Sequence, residues 1–263
     1  MLETQIRFDD GAAYERYMGD WSRRAGTVFL DWLAVPSGLK WIDVGCGNGA
    51  FTELLIERCA PAEVHGIDPS KAQLAFARNR PLARLANFNI GDAMALPFPA
   101  KTFDAAIMAL VIFFVPDPIK GVAEMARVVS PGGKVAAYAW DIPGGGFTSE
   151  PIRIEMRAMG LKPLDPPSVE ASRMETMRDL WTRAGLAGVE TREITVQRTF
   201  TNFEEFWTIS LEGSPSTRPI VAAMSAADVE LLKTWVCARL PVDAAGRVTY
   251  SSRANAVKGH VLV

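Results

Sequence analysis

Three carboxylates in this chain stand where short apolar runs break into small residues. They are Asp43 in Trp41-Ile42-Asp43-Val44-Gly45, Asp68 in His65-Gly66-Ile67-Asp68-Pro69, and Asp92 in Gly91-Asp92-Ala93. Asp43 leads into Gly45-Cys46-Gly47-Asn48-Gly49-Ala50, and a helical pattern (Phe51, Leu54, Leu55) follows. Glycine has no Cβ, so the backbone there can turn tightly and approach a ligand closely. A carboxylate at a strand end sits where α/β sheets bind ligands. Asp68 lies roughly twenty residues beyond the first glycine, a spacing that sets a carboxylate against ribose hydroxyls. It could instead cap the helix that starts near Ser70. Asp92 can close an Asx-turn. Gly45, Gly47 and Ala50 also satisfy the G-x-G-x-x-A form of the dinucleotide fingerprint.

Other chemistries are poorly supplied. Histidine occurs only as His65 and His260, so a mechanism that needs a histidine base is disfavoured. Cys46, Cys59 and Cys237 are too few and scattered for a disulfide framework or a zinc site, and no metal site is expected. No P-loop or Ser/His/Asp triad is evident. Asp165-Pro166-Pro167-Ser168 lacks the aromatic of a D-P-P-Y motif and reads as a proline-rich turn. Met156, Met159, Met174 and Met177 read as core or gap-filling residues, with an adaptable apolar pocket as the alternative.

Elements that must hold the carboxylates alternate from residue 40 to about residue 200. Strands are predicted at Lys40–Val44, Glu63–Ile67, Asn87–Ile90, Phe103–Ala109, Lys134–Trp140 and Gly188–Val196. Helical periodicity covers Phe51–Cys59, Ser70–Arg80, Ile119–Val129 and Glu175–Ala184. This alternation means a parallel sheet with helices on both faces. Pro131-Gly132-Gly133 reads as a helix stop and turn before the fifth strand. Residues 142–172 read as an irregular, lid-like connection. Residues 201–245 are mainly helical (202–211, 226–240), and 246–263 alternate as a last strand.

At 263 residues and 49% apolar, the chain can bury a full core. A formal net charge of −2 without a long basic run gives little support for nucleic-acid binding. No apolar run approaches the ~18 residues of a membrane span. The segment MLETQIRFDDGAAYERY has no signal-peptide core, so a cytoplasmic setting is expected.

The glycine loop with Asp43 resembles motif I of the class I S-adenosylmethionine (SAM) methyltransferases. Phe103-Asp104-Ala105-Ala106-Ile107-Met108-Ala109, followed by Phe113-Phe114 and the turn Pro116-Asp117, is similar to the UbiE-like, or type 11, group of ubiquinone and menaquinone biosynthesis. The resemblance covers about residues 40–140 and, more loosely, Tyr14–Trp32. It implies a Rossmann-like, seven-stranded, mostly parallel sheet with an antiparallel last strand and helical lid insertions. It divides the chain into an arm over the cofactor site (1–35), a SAM-binding core (36–200), a helical insertion (201–245) and the last core strand (246–263). It implies cofactor contacts from Tyr17, Asp43, Gly45, Cys46, Gly47, Asp68, Pro69, Asp92, Ala93 and Ala109, with Asp92 accepting from the adenine amino group. Phe113, Phe114 and Trp140 would line a substrate pocket.

Phe113-Phe114 stands where the group often has histidines, which removes a proton acceptor. These rings read equally as an apolar wall or as core. Tyr14, Tyr17 and Trp21 share a helix face, either packed on the sheet or near the sulfonium, where cation–π attraction is available. The resemblance implies an enzyme that moves a methyl from SAM to a small, largely apolar acceptor by in-line displacement, with no assigned general base. An NAD-dependent oxidoreductase is disfavoured by Asp92 and by the lack of a Tyr-x-x-x-Lys pair. A SAM-binding module without activity is the third reading.

Overall fold

Strand β1 (Lys40–Val44) has one exposed end residue and is otherwise buried, the pattern of a strand covered on both faces. It pairs in parallel with β2 (Glu63–Asp68) on one side and β4 (Phe103–Ala109) on the other. β3 (Asn87–Ile90) continues the sheet beyond β2, and β5 (Val129–Trp140) beyond β4. β7 (Val248–His260) runs antiparallel to β5, and β6 (Ala187–Phe200) antiparallel to β7. The seven strands stand in the order β3-β2-β1-β4-β5-β7-β6. The order reverses direction at β1, so the loop after β1 opens onto the crevice where such sheets bind ligands.

The structure is a computed structural model that describes Ala12 and residues 15–263. Tyr14 lies outside the described residues. One turn of π-helix (Glu15–Gly19) leads into α1 (Asp20–Leu33). The crossovers carry α2 (Ala50–Cys59), α3 (Lys71–Ala77) and α4 (Pro118–Val128). α5 (Glu150–Ala158) and α6 (Met174–Arg183) precede β6. α7 (Phe203–Glu212), α8 (Arg218–Ala222) and α9 (Ala226–Arg239) lie between β6 and β7. Several starts follow local rules. Asp117 Oδ1 accepts the Lys120 N–H at 3.1 Å, with Pro118 in the first turn. Ser70, Asn202 and Ser225 cap α3, α7 and α9 in the same way. Trp140, wholly buried, meets Trp21 edge-on at 6.3 Å, which fixes α1 against the end of β5.

The structure differs from the sequence reading in the ends of several elements, β6 for instance running on to Phe200 rather than stopping at Val196, and in three further places. β5 begins at Val129, not Lys134: Val129 pairs with Phe103, the register then shifts, and Pro131-Gly132-Gly133 becomes an irregularity inside the strand with Gly132 at φ +80°. α3 stops at Ala77, short of Arg80. Residues 142–172 are not wholly irregular, because α5 runs through them with Ile152 and Met156 fully buried. Among the described residues no helix is long and apolar enough to cross a membrane.

Candidate functional site

The loop after β1 is built from left-handed glycines: Gly45 at φ +76°, Gly47 at +51° and Gly49 at +79°. It is tied to the end of β2 by three hydrogen bonds. The Gly45 and Cys46 N–H groups both donate to the Ile67 carbonyl, at 2.7 and 3.0 Å, and the Gly47 N–H donates to Asp68 Oδ2 at 2.9 Å. A Cβ on Gly45 would lie 2.5 Å from Val111 Cγ1, so the absence of a side chain lets Val111 pack down on the loop. A Cβ on Gly47 would meet nothing within 4 Å, so the space beside that turn is open.

The three carboxylates end adjacent strands but differ in environment. Asp43, 1% exposed, accepts from Thr52 Oγ1 at 2.6 Å through Oδ2, while its Oδ1 is buried without a partner. Burial pushes its carboxyl up to about 7; the Thr52 hydrogen bond opposes this and the nearby Asp68 adds to it. Asp68 accepts from the Ser70 N–H at 2.8 Å as well as from Gly47, yet burial still raises its pKa. It does not cap α3, which is the role of Ser70. Exposed Asp92 closes an Asx-turn, with Oδ1 accepting the Met94 N–H at 2.8 Å.

Beside this crevice is an apolar cleft with about 530 Å³ of space between its lining atoms, part of it open to solvent. Leu110, Phe113, Phe114 and Trp140 come from the ends of β4 and β5, and Tyr17 and Met18 from the arm. Ile142, Phe147, Arg153, Leu164 and Pro166 come from the connection after β5, and Ser214, Pro215 and Ser216 from the segment between α7 and α8. Leu110 has a left-handed backbone, φ +62°, uncommon for a branched side chain and concentrated at functional positions. Trp140 Nε1 is buried without a partner. The Tyr17 hydroxyl lies 3.2 Å from Ser149 Oγ, and burial raises its pKa.

The arm is latched over the loop. Glu15 Oε2 accepts from Asn48 Nδ2 at 2.8 Å and from Arg80 Nη2, and Arg80 Nε donates to the Asn48 carbonyl at 2.6 Å. Arg16 reaches Glu212 on α7 at 2.5 Å.

Asp43, Gly45, Gly47, Asp68, Pro69, Asp92 and Ala93 therefore stand at or just beyond the carboxyl ends of the adjacent strands β1, β2 and β3, and Ala109 ends β4. Cys46 belongs there by its backbone only. Its thiol packs with Leu74, Ala77 and Phe88, where burial raises its pKa well above the usual value. Tyr17 borders the cleft together with Phe113, Phe114 and Trp140. Trp21 is core, packed against Trp140, Phe200 and Tyr250. Of the spaced methionines, Met156 and Met177 are wholly buried, and Met18, not one of those four, lines the cleft. The proline-rich turn does more than connect: Pro166 lines the cleft, and the Ser168 N–H donates to the Phe113 carbonyl at 3.0 Å. Sequence reasoning missed Leu110, Phe147, Arg153, Ser214 and Ser216, which carry no local motif. Among the described residues no cluster of three or more His, Cys, Asp or Glu could hold a metal ion.

Comparison with known proteins agrees with this geometry. Residues 42–137 match the model of a methyltransferase domain. The chain is 38% identical over 131 residues to a demethylmenaquinone methyltransferase of Geobacillus sp. (strain WCH70), covering 48% of this chain and 53% of the relative. It is 34% identical over 119 residues to a 2-phytyl-1,4-naphtoquinone methyltransferase of Thermosynechococcus vestitus, covering 43% and 52%. The chain thus spans about half the length of the curated relatives it matches. Its fold is similar to that of the YcgJ protein of Bacillus subtilis (TM-score 0.59, 16% identity, 91% of this chain and 98% of that one). It is also similar to Haemonchus contortus phosphoethanolamine N-methyltransferase 2 solved with S-adenosyl-L-methionine (TM-score 0.58, 20% identity, 95% and 56%). Residues 42–137, the stretch that holds the glycine loop at the switch point and the carboxylates ending three adjacent strands, thus match a methyltransferase domain and are similar to the quinone methyltransferases above.

Proposed function

We propose that this chain is a SAM-dependent methyltransferase acting on a small, largely apolar molecule. The observation that carries the reading is the pairing of two adjoining features. A glycine crevice is bordered by Asp43, Asp68 and Asp92, and an apolar cleft opens at the ends of β4 and β5. The residues fit the cofactor on two counts. The unpartnered Asp43 Oδ1 is a buried carboxylate oxygen suited to a ligand that brings positive charge. The open side of Gly47 leaves room for close approach.

When bound, SAM supplies a methyl group already activated by a positively charged sulfur. Asp68 would hold the ribose and Asp92 the adenine amino group. Asp43 would face the positive end. Pro69, Ala93 and Ala109 would border the cofactor, and Tyr17 would stand at the junction of the two sites. Phe113, Phe114 and Trp140 would orient the acceptor and exclude water, and such orientation alone can supply on the order of 7–11 kcal/mol of a barrier. The arm and the helices between β6 and β7 would act as lids, which the Glu15–Arg80 and Arg16–Glu212 pairs support. The apolar lining favours the kind of acceptor that the names of the quinone methyltransferase relatives describe. A cytoplasmic setting is supported by three free cysteines.

Calorimetric titration with SAM, S-adenosylhomocysteine, NAD and NADP tests the reading. The first two should bind. Tight NAD binding without a SAM signal would overturn it. Incubation with isotope-labelled SAM and a metabolite extract then separates an enzyme from an inactive binding module.

A further inference from the structure

Most of the cleft is apolar, and the polarity it does hold is neutral. Arg153 on α5 is the one cation among the described lining residues, and its charge is answered: Nη2 donates to Asp165, and Glu150 Oε2 faces Nε at 3.6 Å. Glu150 in turn accepts from Arg157 at 2.8 Å. Two cations thus meet two carboxylates, which leaves no net charge there to hold an ion. An ionised ligand would give up its water for apolar walls.

The polar groups that remain are hydroxyls. Ser214 and Ser216, on the segment between α7 and α8, line the cleft, as does Tyr17 on the arm. Thr217 Oγ1 donates to Ser214 Oγ at 2.8 Å, and Ser214 Oγ lies 3.3 Å from Ser216 Oγ. Arg153 Nη1 donates to Ser216 Oγ at 3.2 Å. The Tyr17 hydroxyl lies 3.2 Å from Ser149 Oγ and also interacts with the Ser214 hydroxyl, so that the two serines oppose the rise that burial gives its pKa. All of these hydroxyls are buried. Each hydroxyl brings one proton, and each oxygen-to-oxygen contact uses one. A line of hydroxyls that reaches no carbonyl or carboxylate therefore has one proton more than it has contacts. Among the described residues, the line from Thr217 through Ser214 to Ser216, Tyr17 and Ser149 reaches no such oxygen. One donor is left over in a buried site, where an unmade hydrogen bond is costly. An oxygen on a ligand in the cleft would take it.

We propose that the methyl acceptor is a neutral molecule with a hydroxyl or carbonyl oxygen on its apolar body, and that Ser214 and Tyr17 hold this oxygen while the body lies against Leu110, Phe113 and Trp140. This rests on the methyltransferase reading and deepens it, by making Ser214 a specificity residue. Ser214 stands outside the stretch 42–137 that matches the methyltransferase domain, so the choice of acceptor is assigned to the segment between β6 and β7.

The test uses equilibrium dialysis of 2-naphthol, 2-methylnaphthalene and 2-naphthoate against the full chain saturated with S-adenosylhomocysteine. Naphthol should bind about three- to tenfold tighter than methylnaphthalene, the size of one neutral hydrogen bond, and naphthoate should bind more weakly than naphthol. Ser214→Ala should bring naphthol down to the level of methylnaphthalene and leave methylnaphthalene affinity little changed. Because Ser214→Ala also removes the acceptor of Thr217, Tyr17→Phe serves as a second variant, expected to narrow the naphthol preference too and deciding the matter should the first not fold. Equal binding of naphthol and methylnaphthalene, tighter binding of naphthoate, binding of no probe, or a preference that survives either substitution in a folded chain overturns the proposal. Failure of the parent chain to bind S-adenosylhomocysteine would instead overturn the methyltransferase reading.

Discussion

Asp43 and Asp68 are neighbours at the ends of adjacent strands, and burial raises both carboxyls for different structural uses. Asp43 has a folded-state pKa near 7 against an unfolded value near 3.8. The native chain therefore holds that proton more tightly than the unfolded chain. The stabilisation this gives is fully present below about pH 3.8 and is lost as pH rises through about 7. Asp43→Asn should accordingly melt higher than the parent at pH 8 and gain little at pH 4, because the amide oxygen can still accept from Thr52. Paired melts at the two pH values check this. The same variant should bind SAM more weakly. Asp68 instead holds the Gly47 and Ser70 N–H groups, so Asp68→Ala should cost both fold and ligand. Its melting temperature should fall, and calorimetry should show a ten- to hundredfold loss of SAM affinity.

At the scale of elements, the glycine loop is a joint between β1, β2 and the segment after β4. Gly45→Ala places a Cβ 2.5 Å from Val111 Cγ1 on a backbone at φ +76°. It should destabilise by about 1–3 kcal/mol in urea titrations. Adding Val111→Ala should recover the steric share and leave the backbone strain. Phe113→Ala should enlarge the cleft, keep SAM affinity within a few-fold and lower turnover, provided the folded fraction is measured alongside. The joint was legible in the sequence because it is local: glycines, carboxylate and strand lie within ten residues, and each residue type has one physical reason to be there. The parallel sheet followed from alternation and its antiparallel last strand from the resemblance, whereas the strand order came from the structure. Arg153 was not legible. Its helix is short, starts at Glu150 with Pro151 in the first turn, and its partners Asp165 and Ser216 lie outside that helix, the second on a segment more than sixty residues on. Pocket chemistry assembled from loops leaves no periodic trace. β5 was misread at its start for a related reason: Pro131-Gly132-Gly133 has the composition of a turn, yet pairing by Val129 with Phe103 keeps the segment within the sheet.

On the scale of the whole molecule, the arm connects the crevice to the helices between β6 and β7. Glu15→Ala removes contacts to Asn48 and Arg80 that hold the arm across the glycine loop. Stopped-flow displacement should show S-adenosylhomocysteine leaving several-fold faster, with a melting temperature close to that of the parent, since Glu15 is partly exposed and Arg80 keeps its pair with Glu53. The position of β7 has a different consequence, for synthesis. It is the final strand of the sheet in chain order, yet it is paired on both sides, to β5 and to β6. While residues 141–247 are being translated, at roughly 5–20 residues per second, β5 waits with one bare edge for on the order of 5–20 s. That edge belongs to Val135–Trp140, buried throughout in the finished fold. β6 emerges before the strand that is its sheet neighbour. The nascent chain thus carries an unpaired apolar edge of the kind that templates aggregation, and its solubility during expression should depend on chaperones available in that interval.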